Sequence, residues 1–342
     1  MERPELGVEA VRGRRIRTVR AESVLLGMAA VWGTTFTAVK VGLAYASPLV
    51  FLAFRFLFAL GFLSLWVRPW RMRLDRSAWG AGLRLGFWLG LGFVLQTAGL
   101  LWTTASMSAF ITGTSTAFTP LLEHLLGRGL PGPRAFLGVG MALAGLYCLS
   151  LSTWHMSEQA LGGFVLIGLG LLWLARVHKL PMLGALLVGL GLWAVLRAEA
   201  VSFGIGEGLT LAAAFVWAVY IVELDHYSAR APAGALTWMQ LAVVGAMALL
   251  LLPWFPIRLY PHPALWGGLL YLALVATVLT TWLQTRFQRQ TTPTRAALIF
   301  ATEPLFAALV AFLLLGERLG LHAWFGGVLI VGALMVSARP EA

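Results

Sequence analysis

The chain has 342 residues, 59% of them hydrophobic, a mean hydropathy of +0.83 and a formal net charge of +11. Only 11% of residues are charged, against roughly 25% in a soluble protein, which excludes an ordinary soluble enzyme. The single cysteine, Cys148, excludes an internal disulfide, and the six histidines are scattered without metal-ligand spacing.

Residues 1–21 carry six Arg and no apolar core, so they read as a cytoplasmic N-terminal tail and not as a cleaved signal peptide. From Glu22 onward, apolar stretches of about 20 residues recur, each long enough to cross a hydrocarbon core of about 30 Å. Helices are predicted at about 22–44, 47–67, 79–101, 104–126, 134–153, 159–176, 180–197, 207–224, 232–253, 264–285, 294–315 and 320–338. Lipid forces backbone polar groups to pair within each segment, so the expected fold class is an all-α membrane protein, a polytopic helical bundle.

Charge placement sets the topology. With the N-terminus inside and strict alternation, inside segments hold nineteen Lys and Arg. Outside loops hold three, namely Arg197, Arg258 and Arg318. That asymmetry predicts both termini in the cytoplasm. Had one segment of 153–205 failed to cross, Arg286, Arg289 and Arg295 would fall outside, so an even number of crossings is required there.

The chain repeats itself. Leu95-Gln96-Thr97 followed by Thr103-Thr104 recurs, at an offset of 188, as Leu283-Gln284-Thr285 followed by Thr291-Thr292. Trp32 pairs with Trp217 and Arg55 with Gln240 at an offset of 185. Pro120 and Pro304 pair less closely, at 184. If each repeat holds five helices, an odd number, the halves should face opposite ways across the membrane.

The blocks Trp32-Gly33-Thr34-Thr35-Phe36-Thr37-Ala38-Val39-Lys40, Leu95-Gln96-Thr97, Glu303-Pro304-Leu305-Phe306-Ala307-Ala308 and Leu315-Gly316-Glu317-Arg318-Leu319 carry a resemblance. In their order and spacing the chain resembles the EamA-type transporters of the drug/metabolite transporter superfamily. The resemblance implies two inverted five-helix repeats, ten core helices in all, with a central cavity and transport of small metabolites, often export. The chain is then divided into a tail (1–21), a first repeat (22–152), an insertion (153–205) and a second repeat (206–338). The insertion, where the family has a short loop, supplies two extra helices.

An ionisable residue deep in a membrane helix is expensive and marks a functional candidate. Glu303 lies mid-segment before Pro304, which loosens the helix by freeing the carbonyl four residues back. Such a carboxylate suits proton exchange or a cationic group. Arg55 is the other deep charge and suits a substrate carboxylate or the Glu303 carboxylate itself. Glu123 lies near an inner helix end, one turn after Pro120. Trp32 suits a cavity wall. Gln96, Thr97, Thr112, Thr114 and Thr116 form a polar group on two successive helices, fit either for a solute or for joining helices. Lys40 and Arg84 lie near helix ends and are expected to snorkel, while Glu223, Asp225 and His226 are expected in solvent. The substrate-binding or coupling candidates are therefore Arg55, Glu303, Trp32, Gln96, Thr114 and Glu123, with no catalytic residue, metal or cofactor.

The reading is a secondary transporter in the bacterial inner membrane that exports small organic metabolites, such as amino acids or drugs, by alternating access. Its partners are a small-molecule substrate, the lipid bilayer, protons as a coupling ion and a second copy in a homodimer, with no nucleic acid. No Walker A sequence is present. The alternatives are an intramembrane lipid-modifying enzyme, for which no acid/base or metal cluster stands out, and a channel or scaffold without transport. A deep Arg with a deep Glu suits a zwitterion, unless the two neutralise each other.

Overall fold

The computed structural model describes residues 4–127, 132–150, 190, 204–315 and 320–337. The two helices expected within 153–205 lie outside the described residues. Long apolar runs give α1 (Pro4–Gly42), α2 (Pro48–Val67), α3 (Arg76–Gly99), α4 (Ala105–Gly113), α5 (Ser115–Leu125) and α6 (Pro133–Ser150). The second half gives α7 (Ile205–Tyr227), α8 (Ala233–Leu251), α9 (Pro263–Ala273), α10 (Thr280–Phe287), α11 (Pro293–Phe300), α12 (Glu303–Leu315) and α13 (Leu321–Ser337). Among the described residues, seven candidate spans are long and apolar enough to cross a membrane, with Pro133–Leu149 and Leu321–Ser337 as shorter apolar helices. The protein is a multi-pass membrane bundle. α1 begins at Pro4, so the basic stretch read as a tail runs as helix into the first span. Past Pro4 the stretch has no proline to end a helix.

The expected repeat is visible helix by helix. α1, α2, α3, the α4–α5 pair and α6 form one set of five. α7, α8, the α9–α10 rod, the α11–α12 pair and α13 form the other. Orientation follows from side-chain contacts. Lys40, near the end of α1, donates to the carbonyls of Leu100 and Thr103 just past α3, so α1 and α3 run parallel. α3 runs antiparallel to α7: Gly99 lies against Gly206 and Thr210, Gly92 against Trp217, and Arg84 pairs with Glu223. α7 therefore runs opposite to α1, and the two repeats are inverted.

Glycine sets the closest approaches. A Cβ on Gly145 of α6 would lie 2.6 Å from the Gly326 carbonyl oxygen of α13, and one on Gly326 would lie 2.5 Å from the Gly145 carbonyl oxygen. The last helices of the two repeats thus meet backbone to backbone, as small residues allow in membranes. Gly33 likewise lets α1 touch the backbone of Glu303 and Ala307 on α12.

Two segments expected as single helices are broken at matching places. The 104–126 segment breaks at Thr114 and the 294–315 segment at Ala301-Thr302. Thr114 and Thr302 stand at the repeat offset of 188. Each hydroxyl donates to the carbonyl three residues back, Ile111 and Ile299 respectively, at 2.6 Å. Each backbone N–H turns to the same carbonyl at 3.1 Å. These local bonds compete with the α-helical ladder. The prolines do not mark equivalent breaks: Pro120 sits inside α5 and Pro304 at the start of α12. A third departure is a π-helical turn, Leu274–Leu279, between α9 and α10. Such turns carry an extra residue and cluster at functional sites.

Candidate functional site

The helix breaks and the π turn surround one cavity between the repeats. Its empty volume is about 690 Å³, with solvent at its mouth included. Twelve of its sixteen lining residues are six repeat-equivalent pairs. Trp32 with Trp217 and Thr35 with Tyr220 match at the offset of 185. Phe93 with Thr281, Gln96 with Gln284, Thr112 with Phe300 and Ser115 with Glu303 match at the offset of 188. The cavity is therefore a pseudo-symmetric chamber with asymmetric chemistry.

Four of the six sequence candidates meet here: Arg55, Glu303, Trp32 and Gln96. Arg55 is 3% exposed. Its Nε donates to the Thr277 hydroxyl at 2.8 Å, and Nη2 donates to the Ala276 carbonyl at 3.4 Å. Both acceptors belong to the π turn. The guanidinium also lies 4.8 Å from the centre of the Phe93 ring and 5.7 Å from that of Phe56, a cation–π arrangement. Nη1 has no hydrogen bond to the described residues.

Glu303 opens α12 directly after the Thr302 break. Its carboxylate makes no hydrogen bond or ion pair among the described residues. Arg55 and Glu303 line one chamber yet do not pair, so the mutual neutralisation left open by the sequence does not occur. Trp32 donates from Nε1 to the Thr280 hydroxyl at 3.1 Å and packs on Phe300 at 5.1 Å. The equivalent Trp217 has a buried Nε1 without a partner among the described residues. The repeat explains it: the position matching Thr280 is Gly92, which offers no hydroxyl and lies flat against the indole. Gln96 donates to the Thr112 hydroxyl at 2.8 Å, and Gln284 donates to the Gln288 side-chain carbonyl at 2.8 Å.

Thr114 and Glu123 lie elsewhere. Thr114 ends α4, and the chain turns there so that Ser115 faces the chamber. Glu123 is 8% exposed. It accepts from the Thr294 backbone N–H at 3.0 Å and from the Thr294 hydroxyl, holding the first turn of α11. Two surface expectations are corrected. Glu223 is buried, not solvated, because Arg84 of α3 pairs with it. Lys40 turns its ammonium to backbone carbonyls instead of to the interface. Among the described residues, no three His, Cys, Asp or Glu side chains gather as metal ligands would. The lining residues not singled out from sequence include Ser115, Trp217, Tyr220, Thr281 and Phe300. The repeat offset applied to the candidates Glu303, Trp32 and Thr112 would have found Ser115, Trp217 and Phe300.

Two five-helix repeats around a shared chamber match a family pattern. The EamA-like transporter family matches residues 19–151 and 204–339. The chain belongs to the EamA-like transporter family. Two proteins of Archaeoglobus fulgidus, each named an uncharacterized transporter, resemble it along most of their length. One is 25% identical over 321 residues, covering 94% of this chain and 86% of its own. The other is 24% identical over 321 residues, covering 90% of this chain and 94% of its own. A solved crystal structure shares the fold, with a TM-score of 0.65 at 16% identity, covering 93% of this chain and 96% of the other. Family and relatives point to an EamA-like membrane transporter, not an enzyme.

Proposed function

We propose that this protein is a secondary transporter that moves small organic metabolites, amino acids and drugs among them, out of the cell across the bacterial inner membrane. The carrying observation is the chamber built from six repeat-equivalent pairs. A site shared by two inverted halves is accessible from either side in turn when the halves rock about it. The side bearing Arg68, Arg71, Arg73, Arg76, Arg230, Arg286 and Arg289 is taken as cytoplasmic under the positive-inside rule. Both termini then lie in the cytoplasm. Export, as the direction, rests on the family resemblance.

Glu303 is the coupling group in this reading, since among the described residues it is the one carboxylate lining the chamber and an intramembrane carboxylate suits a proton relay. The test compares the culture-medium metabolite profile of cells expressing the chain with that of cells expressing Arg55→Ala at matched membrane level. A compound that accumulates outside only with the intact chain supports export. No difference, with the protein inserted, overturns it. Coupling is tested by the pH dependence of that export: an unchanged profile in Glu303→Gln removes the proton role.

A further inference from the structure

We infer that the chamber selects amphoteric solutes, with an anionic group held by Arg55 and a cationic group of the same molecule held by Glu303. This rests on the transport reading above and narrows its substrate class. Among the described residues, Arg55 and Glu303 are the only charged ones that line the chamber. Arg55 is buried and Glu303 half-buried in a membrane bundle, and neither pairs with the other or with another charged group among the described residues. A charge left alone in such a place is strongly disfavoured, and a counter-charge relieves it.

The repeat shows that the two charges are a departure from symmetry. The position equivalent to Arg55 is Gln240, and the one equivalent to Glu303 is Ser115. Each repeat therefore supplies one charge where its counterpart is neutral. A pseudo-symmetric chamber thereby acquires a positive pole from the first repeat and a negative pole from the second. Arg55 is held in place by neutral partners alone, the Thr277 hydroxyl, the Ala276 carbonyl and an aromatic face, while Nη1 stays unengaged among the described residues. Neutral partners fix the guanidinium without cancelling it, which leaves its charge for a ligand.

Net charge then discriminates. A simple anion would satisfy Arg55 and bring a second negative charge beside Glu303. A simple cation would do the reverse. A molecule carrying both signs neutralises both poles at once, and its body meets the walls at Trp32 and Trp217.

The experiment is untargeted mass spectrometry of the medium from cells carrying empty vector, the intact chain, Arg55→Gln or Glu303→Gln, at matched membrane level. The solutes that accumulate only with the intact chain should carry both an anionic and a cationic group. Either variant should cut their export about tenfold or more. Arg55→Gln leaves a net negative chamber and should shift export toward cations, and Glu303→Gln should shift it toward anions. Misfolding produces no such opposite shifts. Solutes of one charge sign or none with the intact chain overturn the inference, and so does a wild-type profile in either variant. An inserted but silent Arg55→Gln also overturns it, since that variant keeps the coupling carboxylate and a chamber of opposite net charge should take the opposite class. No accumulation with the intact chain, correctly inserted, overturns the export reading itself.

Discussion

Ser115 and Glu303 occupy the same position in the two repeats, and both line the central chamber immediately after a helix break. One is a small hydroxyl and the other a carboxylate. Matched backbones with unmatched side chains are how this bundle gains a directional interior from a duplicated frame.

The π turn positions Arg55, so its hydroxyl should matter to solute affinity. Thr277→Val removes the acceptor of the Arg55 Nε bond at nearly constant volume. A hydrogen bond to a charged group is worth about 1.5–3 kcal/mol, so the KM for the exported solute should rise roughly tenfold or more. Thr277→Ser should restore it. A KM that stays at the wild-type value in Thr277→Val would show that Arg55 is positioned without it.

The α6–α13 contact gives a paired prediction on stability. Gly145→Ala would place its Cβ 2.6 Å from the Gly326 carbonyl oxygen, whereas a Cβ on Gly140 of the same helix meets nothing within 4 Å. Overpacking of this kind costs about 1–3 kcal/mol. Thermal unfolding in detergent should show Gly145→Ala clearly destabilised and Gly140→Ala unchanged or slightly stabilised. Equal midpoints for the two would contradict the close approach.

Glu123 should behave as a helix-holding residue. Glu123→Ala removes the acceptor for the Thr294 backbone N–H, and loss of such a cap costs about 0.5–2 kcal/mol. The expected outcome is a lower unfolding temperature with an unchanged set of exported solutes. A changed solute profile would give Glu123 a role beyond α11.

The Arg84–Glu223 and Arg295–Glu22 ion pairs should differ in strength. Arg84 is 53% exposed where it meets Glu223, whereas Arg295 and Glu22 are 13% and 20% exposed. Arg295 also donates to the Leu334 carbonyl and the Ser337 hydroxyl, tying α11 and α1 to α13. Solvent screening should hold the Arg84–Glu223 coupling, read from a double-mutant cycle, to about 1 kcal/mol or less. Arg295→Ala should cost more, since it strands several partners at once. The reverse order would show that exposure does not govern these pairs.

Much of this was legible in the residues. Apolar runs of spanning length gave the helices, and paired Trp, Gln and Thr residues gave the duplication. Arg55, Glu303, Trp32 and Gln96 were found because a charge, an amide or an indole stands out in an apolar helix. The break at Thr302 was hidden because its cause is a single hydroxyl inside an apolar run, with Pro304 nearby suggesting another place. The π turn over Leu274–Leu279 left no mark, since an extra residue in an apolar run looks like any other. Glu223 was misread because its partner, Arg84, lies far earlier in the sequence. Ser115 was passed over because nothing about a serine announces a binding wall until its counterpart is known.

The α6–α13 seam also bears on how the protein is made. Gly145 belongs to the first repeat and is synthesised long before Gly326, the partner it meets backbone to backbone. During that interval the Gly145 face of α6 lacks the backbone it packs against, which α13 supplies. A chain cut short before α13 therefore leaves the first repeat, too, without its backbone contact at Gly145.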